Sequence, residues 1–368
     1  MANVPFNPNL SKLPVYQPGR PIEEVSRELG ICETELAKLA SNENPLGPSP
    51  KALEAMANAL PYVNQYPDGN CYYLKNRLGE KLDLGSEQII IGNGSNDILE
   101  LIGHAFLQPG DEVVISEFSF IVYTIVARLF GASLVTIPAV RYGHDLNAML
   151  EGVTAKTKIM FVANPNNPTG TLCEKADLMQ LVNNLPGHVL LVMDEAYIEF
   201  LADPVDFLAM IRDKLNDRLI LTRTFSKIYG LAGLRIGYGI SNERIIKALN
   251  QVREPFNVNA IAQAGALAAL EDNDHLTQTR RINNEGLDYF QKQLTRLKIP
   301  FVSPYANFIL ANVGEGAIVF QKLQKLGIIA RPVGAYGLPE WLRISIGTST
   351  QNQQCLNALE TLLDCETN

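Results

Sequence analysis

Between about Lys51 and Gly239 one pattern recurs: a short run of consecutive apolar residues, a polar turn, then a stretch with helical spacing. The runs are Gln88–Ile91, Glu112–Ser116, Ser133–Ile137, Lys158–Ala163, Val189–Met193, Arg218–Thr222 and Arg235–Ile240. A strand with one wet face alternates polar and apolar residues. Strands that stay apolar at consecutive positions are buried on both faces, the condition inside a doubly wound α/β domain. The pattern predicts a mostly parallel seven-stranded sheet with helices on either side. In such a sheet ligands bind beyond the carboxyl ends of the strands, so the residues that follow each run are the first place to look for chemistry.

After Ile240 the pattern changes. Helical spacing runs through Glu243–Val252, Ile261–Glu271 and about Leu276–Leu297. Strand-like pieces follow at Phe308–Asn312, Gly327–Pro332 and Leu342–Ile346, and a last helix covers about Asn352–Leu363. These predict a smaller α+β domain. The proline-rich start predicts an arm with one short helix, Ile22–Leu29. The expected division is 1–48 for the arm and part of the small domain, 49–255 for the large domain and 256–368 for the small one. A chain of 368 residues suits two cores, because single cores stop growing at about 250–300 residues.

Charge narrows the partners. Lys and Arg total 31 against 39 Asp and Glu, a net charge of −8, whereas a nucleic-acid partner selects for a basic surface. No apolar run approaches the length that spans a bilayer. The N-terminal residues lack the basic and apolar segments of a signal peptide, so a soluble cytoplasmic protein is expected. Cys32, Cys71, Cys173, Cys355 and Cys365 are scattered without a CxxC pair, and the four histidines lack metal-ligand spacing. Free thiols and no metal are the expectation.

Five strand ends carry polar groups. Gly92-Asn93-Gly94-Ser95-Asn96 opens a helix, whose unpaired N–H groups and dipole attract anions; taken alone, an ordinary capped turn is the commoner meaning of such a segment. Asn164–Gly170 is a turn stiffened by two prolines that holds Asn167 at a fixed place. Asp194-Glu195-Ala196-Tyr197 ends a buried strand, where a carboxylate needs a cationic partner. Lys227 follows Thr224-Phe225-Ser226; desolvation there would lower its pKa and make it a nucleophile, although a lone lysine is more often a solvated surface residue. Arg235 closes the set. Together these parts suit a pyridine cofactor with an aldehyde and a phosphate: Lys227 to form the imine, Asp194 for the protonated ring nitrogen, Ser95, Asn96, Ser226 and Arg235 for the phosphate, Asn167 and Tyr197 toward a ring hydroxyl.

The order Asn164–Gly170 (NPNNPTG), Asp194–Tyr197 (DEAY), Ser226–Lys227 and Gly233–Arg235 (GLR) resembles the fold-type-I, pyridoxal-phosphate-dependent aminotransferases over nearly the whole chain. More narrowly, Leu13–Gly19 (LPVYQPG), Ser41–Pro50 (SNENPLGPSP), Gln65–Gly69 (QYPDG), Gly327–Val333 (GIIARPV) and Leu342–Thr348 (LRISIGT) are similar to the histidinol-phosphate aminotransferase family. The resemblance implies pyridoxal 5'-phosphate on a Schiff-base Lys227, with Asp194 at the ring nitrogen and Asn167 and Tyr197 at its hydroxyl. It places Gly94, Ser95, Asn96, Ser226 and Arg235 around the phosphate, with Tyr66 arriving from the second subunit of a homodimer. Phe120, or else Phe118, would stack on the ring. Tyr16, Asn42, Arg331 and Arg343 would line the substrate pocket.

The implied reaction exchanges an amino group between histidinol phosphate and 2-oxoglutarate, releasing glutamate. The planar guanidinium of Arg331 or Arg343 suits either a phosphate or a carboxylate. An aromatic aminotransferase would share the cofactor residues, and a phosphothreonine-type decarboxylase would keep Lys227 and both arginines. A regulator built on the same fold would need an added basic DNA-binding module.

Overall fold

The structure, a computed structural model, describes residues 4–13 and 19–364, without the side chains of Lys12, Leu363 and Asp364. A short strand, β1 (Ala37–Lys38), precedes the large sheet of β2 (Ile89–Gly92), β3 (Glu112–Ser116), β4 (Ser133–Ile137), β5 (Thr157–Ala163), β6 (Leu190–Asp194), β7 (Leu219–Thr224) and β8 (Gly237–Ile240). Each of the seven apolar runs is a strand, its ends shifted by at most two residues. The order is β2-β8-β7-β6-β5-β3-β4. Every pairing is parallel except those of β8, which runs antiparallel to β7 and β2.

Neighbouring residues of a strand point to opposite faces, and here both faces are dry. Ile89, Ile91, Met160, Val162, Leu191, Met193, Leu219 and Leu221 pack in one core. Ile90, Ile159, Phe161, Leu190, Val192 and Ile220 pack in the other. Helix α1 (Ile22–Leu29) sits with the arm, whereas the helices that cover these faces include α2 (Pro50–Ala59), α3 (Tyr72–Leu82), α4 (Ser95–Phe106) and α5 (Ile121–Leu129). The Ser49 hydroxyl accepts the Ala52 N–H to start α2, with Pro50 at the first helical position. Gly30 stops α1 in the left-handed region at φ 66°.

A second, four-stranded sheet is built from β9 (Phe301–Val302), β10 (Phe308–Asn312), β12 (Arg331–Val333) and β13 (Leu338–Ser345), in the order β12-β13-β10-β9. The expected strand Gly327–Pro332 divides at Ala330. Its first part, β11 (Ile328–Ile329), pairs in parallel with β1, so the arm completes this unit. Its second part begins β12, antiparallel to β13. A helix at Gly316–Lys325 and the two-residue β9 are additions to the expected elements.

Packing also bears on the expected boundary at 255/256. The helix Ala260–Ala269 lies beyond it, yet Ala262, Ala266 and Ala269 belong to the core of the large sheet. Added bulk at Gly265 would meet Met56 and Leu234. This helix therefore stays with the large unit, and the long helix Asn273–Arg296 carries the chain into the small one, where Leu287, Phe290 and Leu294 are buried. Among the described residues no helix is long and apolar enough to cross a membrane.

Candidate active site

The reversed direction of β8 shapes the site. Gly92 at the end of β2 and Thr224 at the end of β7 both lie opposite Gly237 at the start of β8. The segment that enters β8 therefore sits at the same edge as the carboxyl ends of the parallel strands. Arg235 belongs to this segment and not to the strand: it closes a turn, Ala232–Leu234, at φ 54°. A cavity of about 260 Å³ opens at this edge. Its walls include Asn42, Ser95, Asn96, Phe120, Asn167, Asp194, Tyr197, Ser226, Lys227, Arg235, Arg331 and Arg343.

The Lys227 amine donates a hydrogen bond to the Ser41 carbonyl at 3.3 Å and lies 5.7 Å from the centre of the Tyr197 ring. Burial, and then the positive charge of Arg343, lower its pKa from 10.5 to about 8. A lysine in that state supplies a neutral amine near neutral pH far more readily than a surface lysine does.

Asp194 ends β6 and is buried. Burial pushes its carboxyl upward, opposed by the Tyr123 hydroxyl, which donates to Oδ2 at 2.7 Å, and by the Ala196 N–H, which donates to Oδ1 at 3.2 Å. Such a carboxylate is fixed in direction and lacks a full counter-charge, so a cationic N–H entering the cavity would be strongly favoured.

The turn before α4, Ser226 and Arg235 together form the part of the wall suited to an anion. Gly94 does not line the cavity wall, but its place is exacting. It has φ 88° and ψ 164°, and a Cβ there would stand 2.5 Å from Nη2 of Arg235. Arg235 donates to the Ser226 hydroxyl at 3.4 Å and to the Ala232 carbonyl at 3.2 Å.

Opposite lies the second sheet. Arg343 of β13 donates to Oδ1 of Asn167 at 2.6 Å and to the Ala40 carbonyl at 2.7 Å, with its guanidinium 5.4 Å from the Phe308 ring. Asn42 donates to the Tyr197 hydroxyl at 2.9 Å. Its own left-handed backbone, φ 54°, is held by the Ser345 hydroxyl, which accepts the Asn42 N–H at 2.8 Å, and by Asn307, which donates to its carbonyl at 3.0 Å. Burial lifts the Tyr197 phenol to about 12. Arg331 of β12 reaches the same cavity.

Three expected positions need separate statement. Phe120 lines the cavity, whereas Phe118 is outside its wall and faces Tyr142 at 6.2 Å. Tyr66 is 84% exposed and stacks on Phe256 at 4.9 Å, outside the cavity of its own chain. Tyr16 lies outside the described residues. Sequence reasoning passed over Tyr123, Ser41, Glu43 and Tyr336, all in the wall. Tyr123 lies on the helix α5 behind Phe120, and only the fold brings its hydroxyl to Asp194. Among the described residues no cluster suited to a metal ion is present.

These groups suit pyridoxal phosphate: an amine of lowered pKa, a buried carboxylate, an aromatic wall at Phe120, and a glycine turn whose backbone lies against the guanidinium of Arg235. Comparison with known proteins agrees. Residues 34–362 match the model of the family described as aminotransferase class I and II. The chain is 46% identical to a histidinol-phosphate aminotransferase of Methylobacillus flagellatus, over 98% of this chain and 97% of that one. Its fold is similar to the crystal structure of histidinol-phosphate aminotransferase from Sinorhizobium meliloti in complex with pyridoxal-5'-phosphate, with a TM-score of 0.88, 28% identity, and coverage of 98% and 99%. The L-threonine-O-3-phosphate decarboxylase of Porphyromonas gingivalis shares the fold at a TM-score of 0.80 and 24% identity, covering 89% of this chain and all, 100%, of that one.

Proposed function

This chain belongs to the class I and II aminotransferases, and from that premise we propose that it is the histidinol-phosphate transaminase of histidine biosynthesis, working with pyridoxal 5'-phosphate. It would move an amino group between L-histidinol phosphate and 2-oxoglutarate, giving imidazole acetol phosphate and glutamate. The observation that carries the reading is one cavity that joins Lys227 and Asp194 to two arginines, Arg331 and Arg343, on the opposite sheet.

When bound, the cofactor supplies an electron sink for the amine-bearing carbon of the substrate. Lys227 would anchor it, and its amine is the group that would carry the proton from that carbon. Asp194, aimed by Tyr123, keeps the ring nitrogen protonated. The α4 turn at Gly94–Asn96, with Ser226 and Arg235, holds the phosphate. Asn167 and Tyr197 serve the ring hydroxyl and Phe120 its face. Arg331 and Arg343 would receive the anionic ends of the two substrates in turn, with Asn42 beside them; Tyr16 is proposed as a further substrate-binding residue on the resemblance alone.

We further propose a cytoplasmic homodimer whose Tyr66 completes the phosphate site of the partner. The exposed Tyr62, Val63, Tyr66, Tyr72, Tyr73 and Phe256 support this, since large exposed apolar side chains gathered in one region mark contact surfaces. The proposed division into units is an arm through residue 48, a large cofactor unit, and a small unit that the arm completes.

Incubation of the pure protein with histidinol phosphate and 2-oxoglutarate, followed by glutamate release, tests the function. Phenylalanine and tyrosine serve as rival donors. Arg331→Ala should lower kcat/KM for histidinol phosphate roughly ten- to a hundred-fold, the size of one charge-assisted hydrogen bond. Faster turnover of the aromatic amino acids, with histidinol phosphate indifferent to Arg331, would replace this reading by an aromatic aminotransferase.

A further inference from the structure

An anion turn works only if its N–H groups are already aimed when the ligand arrives, because ordering them afterwards costs binding energy. The turn before α4 is held from behind by two side chains outside the cavity wall. The Asp97 carboxylate, in the first turn of α4, accepts the Asn93 N–H at 2.8 Å through Oδ2. The same oxygen accepts a hydrogen bond from Nδ2 of Asn257 at 2.7 Å. That amide also donates to the Ile91 carbonyl at 3.3 Å, and its Oδ1 accepts from Nη1 of Arg253 at 2.9 Å. One side chain thus ties the strand before the turn to the helix after it. Added bulk at Gly92, the last residue of β2, would press on both Ile98 and the Asp97 carboxylate.

The segment that supplies Asn257 has a second contact. Its neighbour Phe256, in the left-handed region at φ 58°, stacks on Tyr66. Consecutive residues therefore support two different things: Phe256 the exposed ring, and Asn257 the anion turn of its own chain.

We propose that Asp97 and Asn257 form a clasp that positions the Gly94–Asn96 turn for the cofactor phosphate, acting on the phosphate alone and within the chain that carries the reacting lysine. Both are positioning residues. The inference rests on the pyridoxal-phosphate reading of the site. The clasp is a hydrogen-bonded frame and its charge is not what the phosphate needs, so an amide in place of the Asp97 carboxylate can still accept both bonds.

Titration of the apo-protein with pyridoxal phosphate and with pyridoxal, which lacks the phosphate, distinguishes this from a general structural role. Asn257→Ala should weaken pyridoxal phosphate binding roughly tenfold, the worth of one hydrogen bond to a charged group, and leave pyridoxal binding unchanged. Asp97→Ala should weaken it at least as much, and Asp97→Asn should restore most of the loss. Should Asp97→Ala fail to fold, Asn257→Ala, which keeps the Asn93–Asp97 bond, decides alone. Equal weakening of both ligands, or of neither, overturns the clasp while the parent's binding of pyridoxal phosphate upholds the cofactor reading. A parent that binds neither ligand overturns both.

Discussion

Lys227 shows how much one residue owes to its surroundings. In the sequence it is a lysine after a serine, and most such lysines are solvated. Folded, it sits beside Arg343 with a pKa lowered to about 8, chiefly by burial. The unfolded chain has the ordinary value of 10.5 and so binds more protons than the folded one between these two values. Stability of the apo-protein therefore rises with pH across that window, and the penalty of the buried cation is complete below it. Lys227→Ala removes the penalty. The melting temperature of the variant minus that of the parent, measured on apo-proteins by calorimetry, should fall as pH goes from about 7 to about 10. A difference that ignores pH would mean the amine is not desolvated. The residues that bond to main chain or to one another across the fold were the illegible ones. Tyr123 belongs to no motif, and its hydrogen bond to Asp194 spans 71 positions. Short motifs report local turns, whereas the orientation of their side chains is set by distant partners.

At the scale of elements, the large sheet was legible because burial on both faces leaves consecutive apolar residues, a signal that needs no tertiary information. The helix Gly316–Lys325 was not. It opens with a glycine that no longer residue could replace beside the Pro339 and Trp341 carbonyls, and the stretch Ala317–Phe320 is apolar at consecutive positions like a strand. Strand Gly327–Pro332 misled in the other direction, since one apolar run serves two sheets in turn. At one turn the backbone conformation does leave its mark in the sequence as a glycine. Gly94 combines φ 88° with ψ 164°, a region open essentially to glycine. Gly94→Ala should destabilise the apo-protein by about 1–3 kcal/mol through backbone strain. It should also displace Arg235 and so weaken pyridoxal phosphate more than pyridoxal. Thermal melting together with the same pair of titrations checks both parts. Wild-type melting and affinity would show that the turn adjusts without cost.

For the molecule as a whole, the decisive question is what meets the exposed ring of Tyr66. Nothing in the spacing of residues near Tyr66 forecasts a partner, and that expectation came from resemblance alone. The structure adds a reason to test it: Tyr66 stacks on Phe256 of its own chain yet stays largely exposed, away from its own cavity. If it completes a neighbouring site, Lys227→Ala subunits and Tyr66→Ala subunits, each nearly inactive, should regain activity when mixed and allowed to exchange. One site of each mixed dimer would then hold an intact Lys227 facing an intact Tyr66, giving at most about half the parental activity per mixed dimer. Confirmed exchange with no recovery, given a severely impaired Tyr66→Ala parent, would confine the site to one chain.

The division of the cavity between two sheets has one more consequence. Within one chain, the groups proposed to grip the cofactor stand at the edge of the large sheet, including Lys227 and Arg235, which share the short connection from β7 to β8. Arg331 and Arg343, proposed to grip the substrate, stand on the small one. The Asn167–Arg343 hydrogen bond, 2.6 Å long, crosses the seam. A hinge that swung the small sheet outward would break that latch and let go of the product while the prosthetic group stayed seated. An enzyme that must discharge one keto compound and admit another in every cycle thereby has separate hands for what it keeps and what it exchanges.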